Sequence, residues 1–239
     1  MNRILSRMRR AIEDYHMIEA GDRIAVGISG GKDSLTALLA MKRLQMFYPK
    51  PFYLEAITID MGFDNMDFSA VVDLCQKSDI PYYTEKSEIK QIIFDYRREE
   101  NPCSLCANLR RGAMCTAAKN RDINKIVYGH HFDDVIHTYF LSLFYEGRIN
   151  CFSPVTYLER MGVTVLRPLI YVEERDIVRY AKENAIPVVA STCPADKHTK
   201  RQYIEDIIKG LERENHGLKK RVFTAIQNSG IRGWEKPEF

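Results

Sequence analysis

Ser29-Gly30-Gly31-Lys32-Asp33-Ser34 sets two glycines, an ammonium and a carboxylate between two hydroxyls. An apolar run, Ile24-Ala25-Val26-Gly27-Ile28, precedes it, and a helical run from Leu35 to Met41 follows. Strand, glycine turn and helix in that order aim backbone N–H groups and a positive helix end at an anion. Adjacent glycines let the chain curl around a phosphate with no β-carbon in the way. A Walker A loop needs Ser or Thr directly after its Lys, and Asp33 stands there instead. The loop is therefore a phosphate cradle of another kind. An ordinary glycine turn is the bland alternative, and the six-residue pattern in this context outweighs it.

Cys103-Ser104-Leu105-Cys106 follows Pro102 and opens a helical stretch. Two thiols three residues apart can grip a metal or cluster, and a helix N-terminus favours thiolate. Alone the spacing also fits a redox pair or half a zinc site. No second feature of a thioredoxin fold accompanies it, and a zinc ribbon would need a second C-x-x-C. Cys193, in a polar loop after a short apolar stretch read as a strand, is the best third ligand. Three thiolates leave one corner of a cubane cluster open for an exogenous ligand. Cys75 and Cys115 lie in helical patterns and read as small core residues. Cys151 has no assignment.

These groups need elements to position them. Helices are expected over 2–19, 34–47, 68–78, 88–98, from Ser104, over 133–145 and 173–184, and over about 199–227 with a break at Gly217. Strands are expected over 22–28, 53–60, 81–85 and 125–129, with 156–158 and 163–166 as a hairpin or two short strands. A loop is expected at 99–102. Alternation of this kind predicts an α/β fold, a parallel sheet with helices on both faces. Ligands then collect beyond the carboxyl ends of the strands, where the glycine loop, Asp60 and His130-His131 all fall. The expected layout is a basic helix over 1–21, a nucleotide domain over 22–195 and a helical extension over 196–239, all of which could be one domain.

The chain has 239 residues, 45% hydrophobic and 28% charged, which is an ordinary globular balance. No apolar run reaches transmembrane length, and the basic first helix lacks the apolar core of a secretory signal, so a cytoplasmic location without membrane contact is expected. In that compartment the six cysteines read as thiols or metal ligands. A net charge of +3 is too small by itself to imply a nucleic acid. Its clusters are more suggestive: Arg3, Arg7, Arg9 and Arg10, then Arg97-Arg98, Arg110-Arg111, Lys200-Arg201 and Lys219-Lys220-Arg221.

The loop resembles that of the PP-loop ATPases, and almost the whole chain, about 1–228, resembles their tRNA 2-thiocytidine synthetase family. The resemblance is carried by Met17-Ile18-Glu19-Ala20-Gly21-Asp22-Arg23, the 29–34 loop, the C-x-x-C with Leu109-Arg110-Arg111-Gly112, Gly129-His130-His131-Phe132-Asp133-Asp134, and Arg167-Pro168-Leu169. The chain departs from the family pattern at His137, at Arg148 after Gly147, and at Ala190, where many members carry a second C-x-x-C.

The resemblance implies a PP-loop, HUP-like and Rossmann-like core with N- and C-terminal helices. It implies ATP, Mg²⁺ and a [4Fe-4S] cluster on Cys103, Cys106 and Cys193. It also implies a tRNA substrate, a sulfur donor (a cysteine desulfurase or sulfide) and a homodimer. Ser29, Gly30, Gly31, Lys32, Asp33, Ser34, Asp60 and Gly129 are the expected ATP contacts. Asp33, Asp133 and Arg110 are the candidate catalytic residues, and the two carboxylates are also Mg²⁺ candidates. Helix capping is the plain alternative for Asp133 and Asp134. The expected reaction adenylates the C2 carbonyl of a pyrimidine and replaces its oxygen with sulfur. The alternatives are 2-thiouridine formation, a lysidine-type ligation, or a non-catalytic tRNA-binding or redox-sensing protein.

Overall fold

The computed structural model describes residues 1–64, 66–97, 102–190, 192–193 and 200–235. Runs rich in Ile, Val, Tyr and Thr form strands β1 (Arg23–Ile28), β2 (Tyr53–Asp60), β3 (Tyr82–Lys86), β4 (Lys125–Val127), β5 (Val155–Leu158) and β6 (Val163–Leu166). They make one six-stranded sheet in the order β3-β2-β1-β4-β6-β5. Every pairing is parallel except β5 with β6, which closes as a hairpin, one of the two expected alternatives, and adds an antiparallel edge.

Helices α1 (Asn2–Asp14), α2 (Lys32–Gln45), α3 (Ser69–Lys77), α4 (Pro102–Asn120), α5 (Phe132–Leu141), α6 (Glu174–Glu183), α7 (Lys200–Glu214) and α8 (Leu218–Asn228) surround the sheet. Alternation along β1 divides the core. Ile24, Val26 and Ile28 pack with Leu35 and Leu38 of α2, while Ala25 packs with Met114 and Ala118 of α4 on the other face. Each such buried aliphatic side chain contributes about 1.5–3 kcal/mol. Trp234 joins the first of these cores. It is fully buried, lies edge-on to Tyr15 and Phe223, and donates from Nε1 to Phe152 O at 3.0 Å. Among the described residues no helix is long and apolar enough to cross a membrane.

Several boundaries differ from the sequence expectation. The first helix stops at Asp14 because His16 turns to φ 45°, which lets Met17 and Ile18 reach the core. The helix of the C-x-x-C begins earlier than Ser104, with Pro102 in its first turn, a place where the missing N–H costs nothing. Gln91–Tyr96 and Ser142–Glu146 are π-helical, so 88–98 and the end of 133–145 are not α-helix as expected. Residues 186–190 form no strand; Val189 N–H donates to Gly30 O at 3.0 Å and ties that segment to the glycine loop. The C-terminal helix breaks as expected, with Glu212 accepting from the N–H groups of Gly217 and Lys219. Arg98, most of the loop at 99–102 and the boundary at 195 lie outside the described residues.

Candidate nucleotide and substrate site

β1 ends at Ile28, and α2 begins at Lys32 with Gly31 as a cap that has no side chain to fill the first N–H groups. The loop between them is braced from within. Ser34 Oγ donates to Gly31 O at 2.9 Å and accepts from Ser29 N–H at 3.2 Å. Gly30 sits at φ +84°, and a β-carbon there would meet Val189 Cβ at 2.8 Å. An uncapped helix end in a braced loop is an anion site made of backbone.

The loop opens into a cavity of about 450 Å³ on the carboxyl edge of the sheet. Ser29, Asp33 and Ser34 form one wall, Ala107, Arg110 and Arg111 of α4 a second, and Gly129, His130, Asp134 and Arg167 the floor and far side. Burial pushes the Asp33 carboxyl above its ordinary range, only partly offset by His131 and Lys32. Its Oδ1 is buried without a hydrogen-bond partner. His131 Nε2 lies 3.7 Å from Asp33 and 3.5 Å from Asp134, so one imidazole links both carboxylates. For Asp134, burial works against ionisation, but His131 and Arg201 outweigh it and hold the carboxyl below its ordinary range.

Not every expected contact is brought here. Asp133 faces away: Oδ1 takes Lys219 Nζ at 2.7 Å and Oδ2 takes Glu174 N–H at 2.8 Å. Asp134, which the sequence weighs together with Asp133 between capping and Mg²⁺ binding or proton handling, lines the cavity in its place. Its Oδ2 also accepts the His131 N–H, so capping and cavity lining coexist. Lys32 Nζ lies 3.2 Å from Asp33 and 2.9 Å from Glu174. Burial lowers its pKa, yet these two carboxylates hold it above the ordinary value. Asp60 accepts from Gly62 N–H at 2.9 Å, shaping the turn after β2 beside the cavity.

Cys106, at the start of α4, senses the charge of both Cys103 and Cys193, which places the three thiols in one neighbourhood. Burial raises the Cys106 thiol, and Arg110, one helical turn on and lining the cavity, pulls it back. Among the described residues no three such side chains are already closed into a metal-ligand set. Cys75, Cys115 and Cys151 are buried, and burial pushes Cys151 up to about 12.

The basic first helix is partly engaged within the fold. Arg7 spans Asp176 and Glu173 of the α6 region at 3.1 and 3.2 Å, and Arg9 and Arg10 face Glu13 and Asp14. Of the basic clusters, Arg110 and Arg111, with Arg201, reach the cavity. Arg167 reaches it too. The sequence reading gave that residue no role, and its signal was the Arg-Pro-Leu placed directly after an apolar run.

An uncapped glycine loop after the first strand of a parallel sheet, facing a cavity with two linked carboxylates, defines a nucleotide-binding α/β protein of the PP-loop class. The family profile of the PP-loop domain matches residues 2–211. A tRNA-cytidine(32) 2-sulfurtransferase of Geobacter metallireducens is 38% identical over 224 residues, covering 92% of this chain and 86% of that one. Its counterpart in Geotalea uraniireducens is 37% identical over 231 residues, covering 95% and 91%. The chain belongs to the PP-loop family and, within it, to that of the tRNA-cytidine(32) 2-sulfurtransferases. Among solved structures, the U34-tRNA thiolase NcsA from Methanococcus maripaludis with its [4Fe-4S] cluster superposes with a TM-score of 0.76 at 21% identity. It covers 95% of this chain and 79% of that one, a likeness of fold.

Proposed function

We infer that this protein is an ATP-dependent tRNA sulfurtransferase that converts a cytidine of the anticodon loop, position 32 as in its relatives' names, to 2-thiocytidine. One observation carries the reading: a single cavity joins the phosphate loop to the helix that bears Cys103 and Cys106. In the reaction, the C2 oxygen of cytosine attacks the α-phosphorus of ATP and pyrophosphate leaves. Hydrosulfide sulfur then bonds to C2, the C2–O bond breaks, and AMP and a proton depart. The N–H groups of the 29–34 loop hold pyrophosphate, and Gly129 keeps the loop's back wall close. Asp33 and Asp134, linked through His131, are the carboxylates we assign to Mg²⁺, which would neutralise charge on the phosphates. Arg110 stands between the phosphates and the cysteines.

The donor set fits a cluster: three soft thiols share one neighbourhood at the start of the helix that lines the cavity, and Arg110 partly offsets the burial that raises the Cys106 thiol. Cys103, Cys106 and Cys193 would hold a [4Fe-4S] cluster, which when bound supplies an iron with an open coordination position for sulfur. Sulfide is the sulfur source, either free or released from a cysteine-desulfurase persulfide by a thiol reductant that supplies the two electrons. A target base in a single-stranded loop can be splayed into the cavity at modest cost. We place the protein in the cytoplasm as a homodimer, with exposed Phe144, Tyr145 and Ile149 as the apolar contact surface. The terminal helices and the sheet belong to one unit, since Met8, Val26 and Phe223 share one core. The test is conversion of cytidine to 2-thiocytidine in tRNA by anaerobically prepared protein, with AMP formed in equal amount.

A further inference from the structure

Arg167 directly follows β6, two strands along the carboxyl edge from the phosphate loop. At the usual strand spacing that is about 10 Å from β1, with Tyr128, Gly129 and His130 lying between. Arg167 is half-buried, and burial brings its guanidinium pKa down to about 10. Nη1 is committed, donating to Ser153 O at 2.7 Å and to Thr156 Oγ1 at 3.0 Å. Nε is buried and has no hydrogen-bond partner. The Phe152 ring lies 5.0 Å from the guanidinium carbon, and His130 packs on that ring with centroids 5.0 Å apart. Burial and Arg167 hold His130 down at about 4, so it is a neutral, flat neighbour at physiological pH.

A cation with a buried, free donor edge is costly unless something that accepts hydrogen bonds comes to meet it. The bonds of Arg167 to Ser153 and Thr156 anchor it two strands along the sheet edge from the loop that would cradle the pyrophosphate. Flat rings beside it suit a planar heterocycle. We propose that Arg167 reads the target base, its Nε edge donating to the adjacent N3 and O2 acceptors of cytosine. This rests on the sulfurtransferase reading above. Arginine has donors and no acceptor. Cytosine offers two neighbouring acceptors to such a fork, whereas uracil turns an N3–H donor toward it. The second lone pair of O2 stays available to the α-phosphorus. A two-bond contact of this type discriminates between bases by roughly 10- to 100-fold.

The test uses tRNA carrying 3-deazacytidine at the target position, in which a C–H replaces N3. Wild-type holoenzyme is expected to bind it about 10-fold or more weaker than the cytidine tRNA in competition. Arg167→Gln is expected to bind the two tRNAs alike, keep its ATP affinity and lose its preference for cytidine over uridine transcripts. Equal binding of both tRNAs by wild-type protein would overturn the proposal. So would an Arg167→Gln protein that loses ATP affinity in step with tRNA, because Arg167 would then serve the phosphates. The wild-type comparison decides even if the variant fails to fold. Failure of wild-type protein to thiolate the cytidine tRNA would remove the underlying reading together with this one.

Discussion

Gly129 backs so closely onto Asp33 that a β-carbon on it would stand 2.7 Å from the Asp33 carbonyl carbon and oxygen. The end of β4 thereby fixes the N-terminus of α2, and with it the direction of the phosphate-facing N–H groups. Gly129→Ala is expected to push the loop forward, weaken ATP binding at least tenfold and cost ~1–3 kcal/mol of stability. Calorimetric ATP titration beside a denaturant melt checks both. Unchanged ATP affinity would show that the loop does not depend on that contact.

Asp33 separates chemistry from stability. A carboxyl whose pKa is raised on folding contributes stability below its unfolded value that is lost as pH rises through the folded one. At neutral pH the ionised, partly unpartnered Asp33 is thus a burden on the fold. Asp33→Asn is expected to melt at the same temperature as wild type or higher, while AMP formation falls by roughly 100-fold or more. A variant with near-normal turnover would remove Asp33 from the mechanism.

The neighbouring pair behaves in the opposite way. For Asp133, burial favours protonation, but the Glu174 N–H and Lys219 hold its carboxyl below the ordinary range. A lowered folded value gives stability that is present above the unfolded pKa and lost as pH falls through the folded one. Asp133→Asn is expected to cost about 2 kcal/mol at pH 7. It should also flatten the loss of stability on the acid side below about pH 4. Melts across pH 3–7 test this, and an unchanged acid slope would mean that the contacts to Lys219 and Glu174 are not what depresses Asp133.

Much of this was legible in the chain. The glycine loop, the order of strands and helices, the hairpin and the break near Gly217 all follow from local pattern, and the core positions of Cys75 and Cys115 follow from helical spacing. What escaped were matters of direction. Asp133 and Asp134 are adjacent and chemically alike, and only the packing of α6 and Lys219 against α5 decides which carboxylate faces the cavity. Likewise Arg7 reads as a phosphate contact until tertiary structure sets Asp176 and Glu173 opposite it. The two π-helical segments are invisible to a period of 3.6. Arg167 gave little local signal because its surroundings come from residues 128–130 and 152–156.

The cysteines make a separable prediction. Protein prepared without oxygen is expected to be brown and to contain iron and acid-labile sulfide. Ala at Cys103, Cys106 or Cys193 should each abolish both the colour and thiolation and leave ATP binding intact, since the phosphate loop is built from backbone. Cys75→Ala and Cys115→Ala should keep the cluster and lose only packing. Zinc without iron in an active preparation, or full activity in Cys193→Ala, would end the three-thiolate assignment.

Nucleoside mass spectrometry of tRNA from cells with and without the gene bears most directly on the function itself. Cells that carry the gene should contain 2-thiocytidine, and its loss on deletion should be restored by the wild-type gene and not by one encoding Asp33→Asn. Unaltered 2-thiocytidine in the deletion strain, or loss of a different modified nucleoside in its place, would contradict the account.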